Sequence, residues 1–337
     1  MNPKIIITIG KYSTNYELIK KLVLAGADIL RLNFSHATNQ QLLELKEVIA
    51  RIKQETGKNV EILQDLCGPR IRVGGLLNDI ILKEGELYAF SFEHCNGEEN
   101  CIPIDHKELI NDVEIGHPFY LANGAMELTV EKKEEDKIFA RVERGGILSS
   151  KKGINVPETR LSSGSLTEKD CVDAAFGSEQ KVDYMAISFV QSADDVKILR
   201  KIAGPKIKII AKIERATALP VIDEIIKESD GIMIARGDLG VETPFENLPI
   251  LQKELIRLAH WHKKPAIVAT QMMLSMVEKP RPTYAEVTDI ANAVFDGADG
   301  LLLSDETASG KHPVECVITM KKIIDQADQY LNKKNHL

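Results

Sequence analysis

Eight short runs rich in Ile, Val and Leu recur along the chain, and charged segments with helical spacing separate them. They are KIIITIG (4–10), ADILRLNF (27–34), NVEILQDL (59–66), VDYMAISF (182–189), KIKIIAKI (206–213), DGIMIAR (230–236), PAIVATQM (265–272) and ADGLLLSD (298–305). Apolar runs with little alternation suit parallel strands buried on both faces. Cap signals such as Ser192-Ala193-Asp194-Asp195 and Ser165-Leu166-Thr167-Glu168 support helices between them. Eight strand–helix units predict an α/β fold, a (β/α)8 TIM barrel. A doubly wound sheet is the competitor, and the even spacing of eight units disfavours it.

One interval breaks the rhythm. Residues 67–157 change to short strands punctuated by turn dipeptides, Glu84-Gly85, Asn96-Gly97 and Asn123-Gly124, with a solvated hairpin expected at KKEEDK (132–137). The expected organisation is a barrel domain of 1–66 and 158–337 carrying a small β-barrel domain, 67–157, after strand three. A loop there opens on the catalytic face, so the insert is placed to act as a lid.

The chain has 337 residues, 44% hydrophobic and 28% charged, with a net charge of −7. That is ample for a core and gives no long-range attraction to nucleic acid or anionic membrane. No run approaches the roughly 18 apolar residues of a membrane span. The N-terminus lacks a signal-peptide shape, so a cytoplasmic location is expected. The cysteines, Cys67, Cys95, Cys101, Cys171 and Cys316, have neither disulfide-framework nor zinc spacing and are expected to be reduced.

Polar residues end the runs: Arg31, Asn33 and Ser35; Asp65; Ser188; Lys212 and Glu214; Arg236 and Asp238; Thr270 and Gln271; Ser304 and Glu306. In a barrel these ends form one rim. Any one of them suits a cap or an ion pair. Together they point to a ligand, because like charges at one mouth repel. Glu214 and Asp238, on adjacent strands, suit Mg2+ or Mn2+, and Lys212 faces the same side as Glu214. The glycines after Arg236 let backbone N–H groups approach an anion. Arg31, Arg72, Lys151 and Lys152 flank the junctions of the insert and suit a small polyanion such as a nucleotide. No Walker A, GxGxxG or HExxH pattern occurs. A nucleotide contact is plausible for His36, a surface role is expected for His260 and His262, and a partly buried anchoring role for Trp261.

Long ordered motifs now carry a resemblance. ILRLNFSHA (29–37), QDLCGPRIRVG (64–74), KIIAKIE (208–214), SDGIMIARGDLGVE (229–242) and the stretch 269–315 resemble pyruvate kinase, almost end to end. The resemblance implies phosphoryl transfer between phosphoenolpyruvate and ADP, giving pyruvate and ATP, by positioning and charge neutralisation. It implies Glu214 and Asp238 as ligands of the divalent ion, the backbone of Ala235, Arg236 and Gly237 on the substrate carboxylate, and Lys212 at the phosphoryl group and enolate. It implies Thr270, with Ser304 and Glu306, in protonation of the enolate carbon. Arg31, Arg72 and Lys152 would contact nucleotide phosphates, with Asn33 and His36 close by. A monovalent-ion site maps to Asn33, Ser35, Asp65 and the Leu66 carbonyl.

Four departures from the family pattern set further expectations. The chain ends after the eighth unit, where typical members continue into an effector-binding domain; sugar-phosphate activation is not expected, and a monomer or homodimer is. The third-strand motif carries Arg70, with Leu66 and Val73, where K+-dependent members carry Glu at position 70, so activity without K+ is expected. The lid motif reads Ala122-Asn123-Gly124 in place of Asp-Asp-Gly, which weakens engagement of Arg31. Asp305 replaces glycine in the strand-eight motif, and Lys11 replaces proline in the first-strand motif. The alternatives are a related barrel enzyme of altered specificity, such as a metal-enolate lyase or aldolase or a specialised phosphotransferase, and a non-catalytic metabolite-binding homologue. Arg72 and Lys152 speak against the lyase. Lys212, Glu214, Asp238 and Thr270 together speak against the scaffold.

Overall fold

In the computed structural model, which describes residues 3–10, 13–93, 95 and 100–334, all eight runs become strands. They are β1 (Lys4–Ile9), β2 (Ile29–Asn33), β3 (Glu61–Asp65), β4 (Tyr184–Ile187), β5 (Lys208–Ile213), β6 (Gly231–Ala235), β7 (Ala266–Ala269) and β8 (Gly300–Leu303). Each pairs in parallel with its sequence neighbour, and β8 closes on β1 with Ile6 opposite Leu302. The doubly wound alternative is thereby excluded. The period of two sorts the side chains. Ile6, Ile29, Leu63, Ile210, Met233 and Leu302 fill the lumen. Ile5, Ile7, Leu30, Ile209 and Leu301 pack outward under the helices. Both faces are buried, which is why the runs lack polar alternation.

Helix starts follow local chemistry. Capping boxes pair Thr38 with Gln41, Ser192 with Asp195, and Thr283 with Glu286. In the 165–168 signal the cap is Thr167, two residues beyond Ser165, with Asp170 completing the box. No helix among the described residues is long and apolar enough to cross a membrane.

The insert forms a six-stranded sheet and a separate two-stranded ribbon around a core of its own, with Phe90 and Phe119 edge to face at 5.6 Å. Gly85, Asn123 and Gly124 take left-handed backbone, as tight turns require. The 132–137 segment is the expected exposed hairpin, joining Met126–Glu134 to Lys137–Arg144. Asn96-Gly97 and Lys11 lie outside the described residues.

Two expectations are corrected. Cys95 and Cys101 form a disulfide, while Cys67, Cys171 and Cys316 are free thiols. Strand pairing in the insert decides this: Cys101 opens a strand that aligns with Ala89, and Cys95 lies within bonding reach of it. Trp261 is no anchor. It lies 72% exposed at a helix end, edge-on to His262. His260 pairs at the surface with Asp299, whereas the His262 ring is largely covered and meets Asp223 at 2.7 Å.

The exit from barrel to insert is tightly held. The buried Asp170 carboxylate accepts from the N–H groups of Cys67 (2.9 Å) and Gly68 (3.2 Å) and from Thr167 Oγ1 (2.6 Å). Gly68 has φ +69°, and a Cβ there would stand 2.9 Å from the Ser188 Cβ. On the return path, Arg215 Nη2 donates to the carbonyls of Val156 (3.0 Å) and Thr159 (2.8 Å). Asp170→Ala strands the buried Gly68 amide, the part-buried Cys67 amide and a helix cap together. It should cost about 3 kcal/mol in urea unfolding, and an effect below about 1 kcal/mol would show that the exit is held by packing alone.

Candidate active site

The alternation of β5 turns Lys212 and Glu214 to one side, and barrel closure brings β3 and β4 to meet them. Lys212 Nζ donates to Ser188 Oγ at 2.7 Å and pairs with Glu214 Oε1 at 3.0 Å and Asp65 Oδ1 at 3.3 Å. Arg31, from β2, donates Nε to Asp65 Oδ2 at 2.7 Å and Nη1 to Thr8 Oγ1 at 2.8 Å. Lys212 is 8% exposed, Glu214 3% and Asp65 0%. This is a buried ionic network whose members satisfy one another.

The electrostatics divide the acids. Burial alone would push the Asp65 carboxyl up, but the charges of Lys212 and Arg31 outweigh it and hold the group below the usual carboxylate range. Burial pushes Glu214 up; Lys212 draws it back only partly, and the charge of Asp238 adds to the rise. Burial would lower the Lys212 ammonium, yet Asp65 and Glu214 leave it above its usual value. Asp65 is therefore the resident counter-ion of Lys212. Glu214 carries a charge that a further cation would stabilise.

Asp238 lies in the first turn of the helix Arg236–Glu242, directly after β6. Its Oδ1 accepts from Arg70 Nη2 at 3.2 Å. The Arg236 side chain leaves the rim for Asp289 (2.8 Å), the Thr270 carbonyl (2.8 Å) and Met272. It braces β6 against β7, so only its backbone stays at the mouth. Thr270 Oγ1 accepts from the Gly237 N–H at 2.7 Å. Thr270, Gln271 and Phe189 all have positive φ (74°, 54° and 53°). Such backbone persists only where surrounding structure over-determines it, and it clusters at active sites. The Phe189 N–H donates to Glu214 Oε2 at 2.7 Å, so that strain aims a donor at the acid.

Beside this network opens a cavity of ≈ 680 Å3, lined by Thr8, Gly10, Arg31, Asn33, His36, Gln41, Glu44, Ser304 and Asp305 among others. Its size suits a nucleotide-sized ligand. Gly10 permits the wall, since a Cβ there would stand 2.6 Å from the Ala308 carbonyl oxygen. Arg31 belongs both to the cavity wall and to the ionic network. Arg72 and Lys152 do not line the cavity. Arg72 Nη1 caps the Lys151 carbonyl at 3.1 Å, and Lys152 is exposed at the junction of the insert.

Glu306 is buried, and its two oxygens accept from the N–H groups of Met273 (3.0 Å) and Ser304 (2.8 Å). Burial raises its carboxyl. Of the monovalent-site residues, Asn33 Oδ1 is taken by the Ser35 N–H at 3.1 Å, and the Leu66 carbonyl by Ser188 Oγ at 2.7 Å. Arg70 makes its bonds to Asp238 and Asn123.

Sequence reasoning passed over Thr8, the acceptor that orients Arg31, although its place two residues before the end of the first run was a signal. It also passed over Gln41 and Glu44, which look like ordinary polar positions of the helix Asn39–Thr56.

Lys212→Met leaves Asp65 and Glu214 facing each other with their shared ammonium gone, which should cost about 3–5 kcal/mol at pH 7. The sign of the pH dependence follows. Without Lys212, folded-state carboxyls rise above their unfolded values, 4.5 for Glu214. The folded variant then binds more protons than the unfolded chain, and stability falls as pH rises. Urea unfolding at pH 5 and pH 7 should show the larger deficit at pH 7; equal deficits would mean that the network carries no net charge imbalance.

A family model described as "Pyruvate kinase, barrel domain" matches residues 1–317. The pyruvate kinase of Methylorubrum extorquens is 41% identical over 327 residues, 97% of this chain and 68% of that protein. That of Thermotoga maritima is 41% identical over 337 residues, 97% of this chain and 71% of that protein. Pyruvate kinase 2 of Synechocystis is 43% identical over 334 residues, 97% of this chain and 56% of that protein. With this barrel, this insert and alignments that span 97% of the chain, the chain belongs to the pyruvate kinase family.

Proposed function

We propose that the chain transfers the phosphoryl group of phosphoenolpyruvate to ADP, giving pyruvate and ATP, with a divalent cation. The observation that carries this reading is a continuous line of paired charge from the cavity to the two acids: Arg31, Asp65, Lys212, Glu214, with Asp238 next to it. A nucleotide in the cavity would meet the same arginine that is bonded to the network beneath the phosphoryl donor.

The residues suit a hard cation. Glu214 and Asp238 offer carboxylate oxygens, and Glu214 is held uncomfortably by burial and by its neighbour's charge. Among the described residues no group of three or more His, Cys, Asp or Glu could hold an ion. Two carboxylates suit Mg2+ or Mn2+, whose other positions go to water and substrate oxygens. Such a cation, when bound, would polarise substrate oxygens and neutralise their charge.

The chain's own residues account for the rest of the chemistry. The bond from phosphorus to the enol oxygen breaks as a bond to an ADP β-phosphate oxygen forms, and the enolate carbon takes a proton. Lys212, already fixed by three partners, neutralises charge on the phosphoryl group and the enolate without reorganising. The backbone of Ala235 and Arg236 orients the substrate carboxylate, joined by Gly237 once its N–H turns from Thr270 Oγ1 to the substrate. Until then Thr270 holds the Gly237 N–H in place; it stands at the protonation end, with Ser304 and the backbone-clamped Glu306 behind it. Asn33 and His36 line the nucleotide cavity with Arg31; Arg72 and Lys152 stand outside it at the junction of the insert and would reach a nucleotide only by movement of the insert. The reading carries with it a cytoplasmic location and a monomer or homodimer.

In a coupled pyruvate assay with phosphoenolpyruvate, ADP and Mg2+, the chain should form pyruvate, and Lys212→Met should lower kcat by about two to three orders of magnitude. No pyruvate from the unaltered chain, or full turnover by the variant, defeats the assignment.

Turnover should also be equal in sodium-only and potassium buffers. Asp65, Leu66 and Asn33 already spend their oxygens on Arg31, Ser188 and Ser35, and Arg70 supplies a permanent positive charge nearby. Strict dependence on K+ would show that these bonds open to admit the ion.

A further inference from the structure

Two of the positions that depart from the family pattern, Arg70 and Asn123, touch each other. Arg70 Nη2 donates to Asn123 Oδ1 at 3.3 Å and to Asp238 Oδ1 at 3.2 Å. Arg70 lies on the irregular segment that leaves the barrel for the insert, Asn123 in the turn between Pro118–Leu121 and Met126–Glu134, and Asp238 on the barrel. One guanidinium nitrogen thus ties a turn of the insert to a carboxylate at the mouth. The same turn rests on the same helix, since a Cβ at Gly124 would meet Val241 at 3.6 Å. The side chain passes close over Gly153, where a Cβ would stand 3.3 Å from Arg70 Nε, so the glycine leaves the guanidinium its path. The pair is only partly covered, 30% exposed for Arg70 and 20% for Asp238, so water and ions reach it.

We propose that Arg70 is a positioning residue that guards the divalent-cation site. Its guanidinium and the incoming cation compete for Asp238, so that cation binding unties turn 122–124 of the insert from the barrel mouth. The inference rests on the reading that Glu214 and Asp238 share the cation. The physical reason is repulsion. The guanidinium holds one oxygen of Asp238, and a divalent ion on the same carboxylate meets that positive charge at close range, so each cation weakens the other's hold on Asp238. Arginine suits this role because its charge cannot be lost to a solvent base. Asn123 is neutral, so it adds a hydrogen bond to the latch without holding Arg70 once Asp238 is taken.

The test uses Mn2+ alone as the probe and the full ligand-free chain. Free Mn2+ is followed by electron paramagnetic resonance for the unaltered chain, Arg70→Met and Arg70→Lys, with Asp238→Asn as the control for the site. Arg70→Met should bind Mn2+ about fivefold more tightly, the worth of a partly exposed ion pair of about 1 kcal/mol, with Arg70→Lys in between. Hydrogen exchange supplies the second readout. Saturating Mn2+ should speed exchange in turn 122–125 of the unaltered chain and leave it unchanged in Arg70→Met, where it is already fast. Equal or weaker Mn2+ binding by Arg70→Met overturns the proposal. So does tighter binding without the exchange effect, which would mean that Arg70 acts only through long-range charge. Mn2+ binding that survives in Asp238→Asn, or that is absent from every form, overturns the shared-cation reading itself and this proposal with it.

Discussion

The Lys212 ammonium, buried between Asp65, Ser188 and Glu214, is the contact on which the active-site end of the barrel depends. An isolated ammonium this deep would lose its proton or unfold its surroundings. Here Asp65 and Glu214 keep it charged, and Arg31 supplies Asp65 with its second cation. The four groups come from β2, β3 and β5, with the Ser188 hydroxyl just beyond β4, so the network exists only because the sheet closes. The unusual backbone of Phe189, Thr270 and Gln271 is held by the same closure. The rigid strands beneath absorb a cost of order 1–3 kcal/mol each and direct a donor at Glu214 and an acceptor at Gly237.

The helix Arg236–Glu242 couples this network to the inserted domain. Asp238 at its start is bonded to Arg70, and Glu242 at its end accepts from Asn155 Nδ2 at 3.1 Å, beside the buried Arg215. Burial pushes the Glu242 carboxyl up and the Arg215 guanidinium down, and the hydrogen bonds of both to the return path of the insert make this the deeper contact. The partly exposed Arg70–Asp238 pair is the cheaper one to break. Phosphoryl transfer benefits from a site that sheds water. A lid fixed firmly at one end of a helix and loosely at the other suits that need.

Much of this was legible along the chain, for identifiable reasons. Strands buried on both faces leave unbroken Ile and Val runs, and all eight were visible. Charged residues at the ends of such runs need partners or a ligand, so Arg31, Asp65, Lys212 and Glu214 stood out before any contact was known. What misled was context. Trp261 looked like an anchor by type, but its helix turns that position to solvent. Arg236 looked like a rim cation, but Asp289, from a distant helix, draws its side chain away. Cys95 and Cys101 lack any framework spacing, and only strand pairing in the insert brings them together.

The order of residues determined the barrel, the insert and the inventory of charges, because periodicity and strand-end polarity are local properties written one residue after another. The partners of those charges were decided only by the closed sheet. Asp65 and Glu214 together balance Lys212, Glu306 is spent on two backbone amides, and Arg70 reaches Asp238 across 168 positions of chain. Electrostatic pairing depends on distance and burial in space, and neither can be read from spacing along a chain.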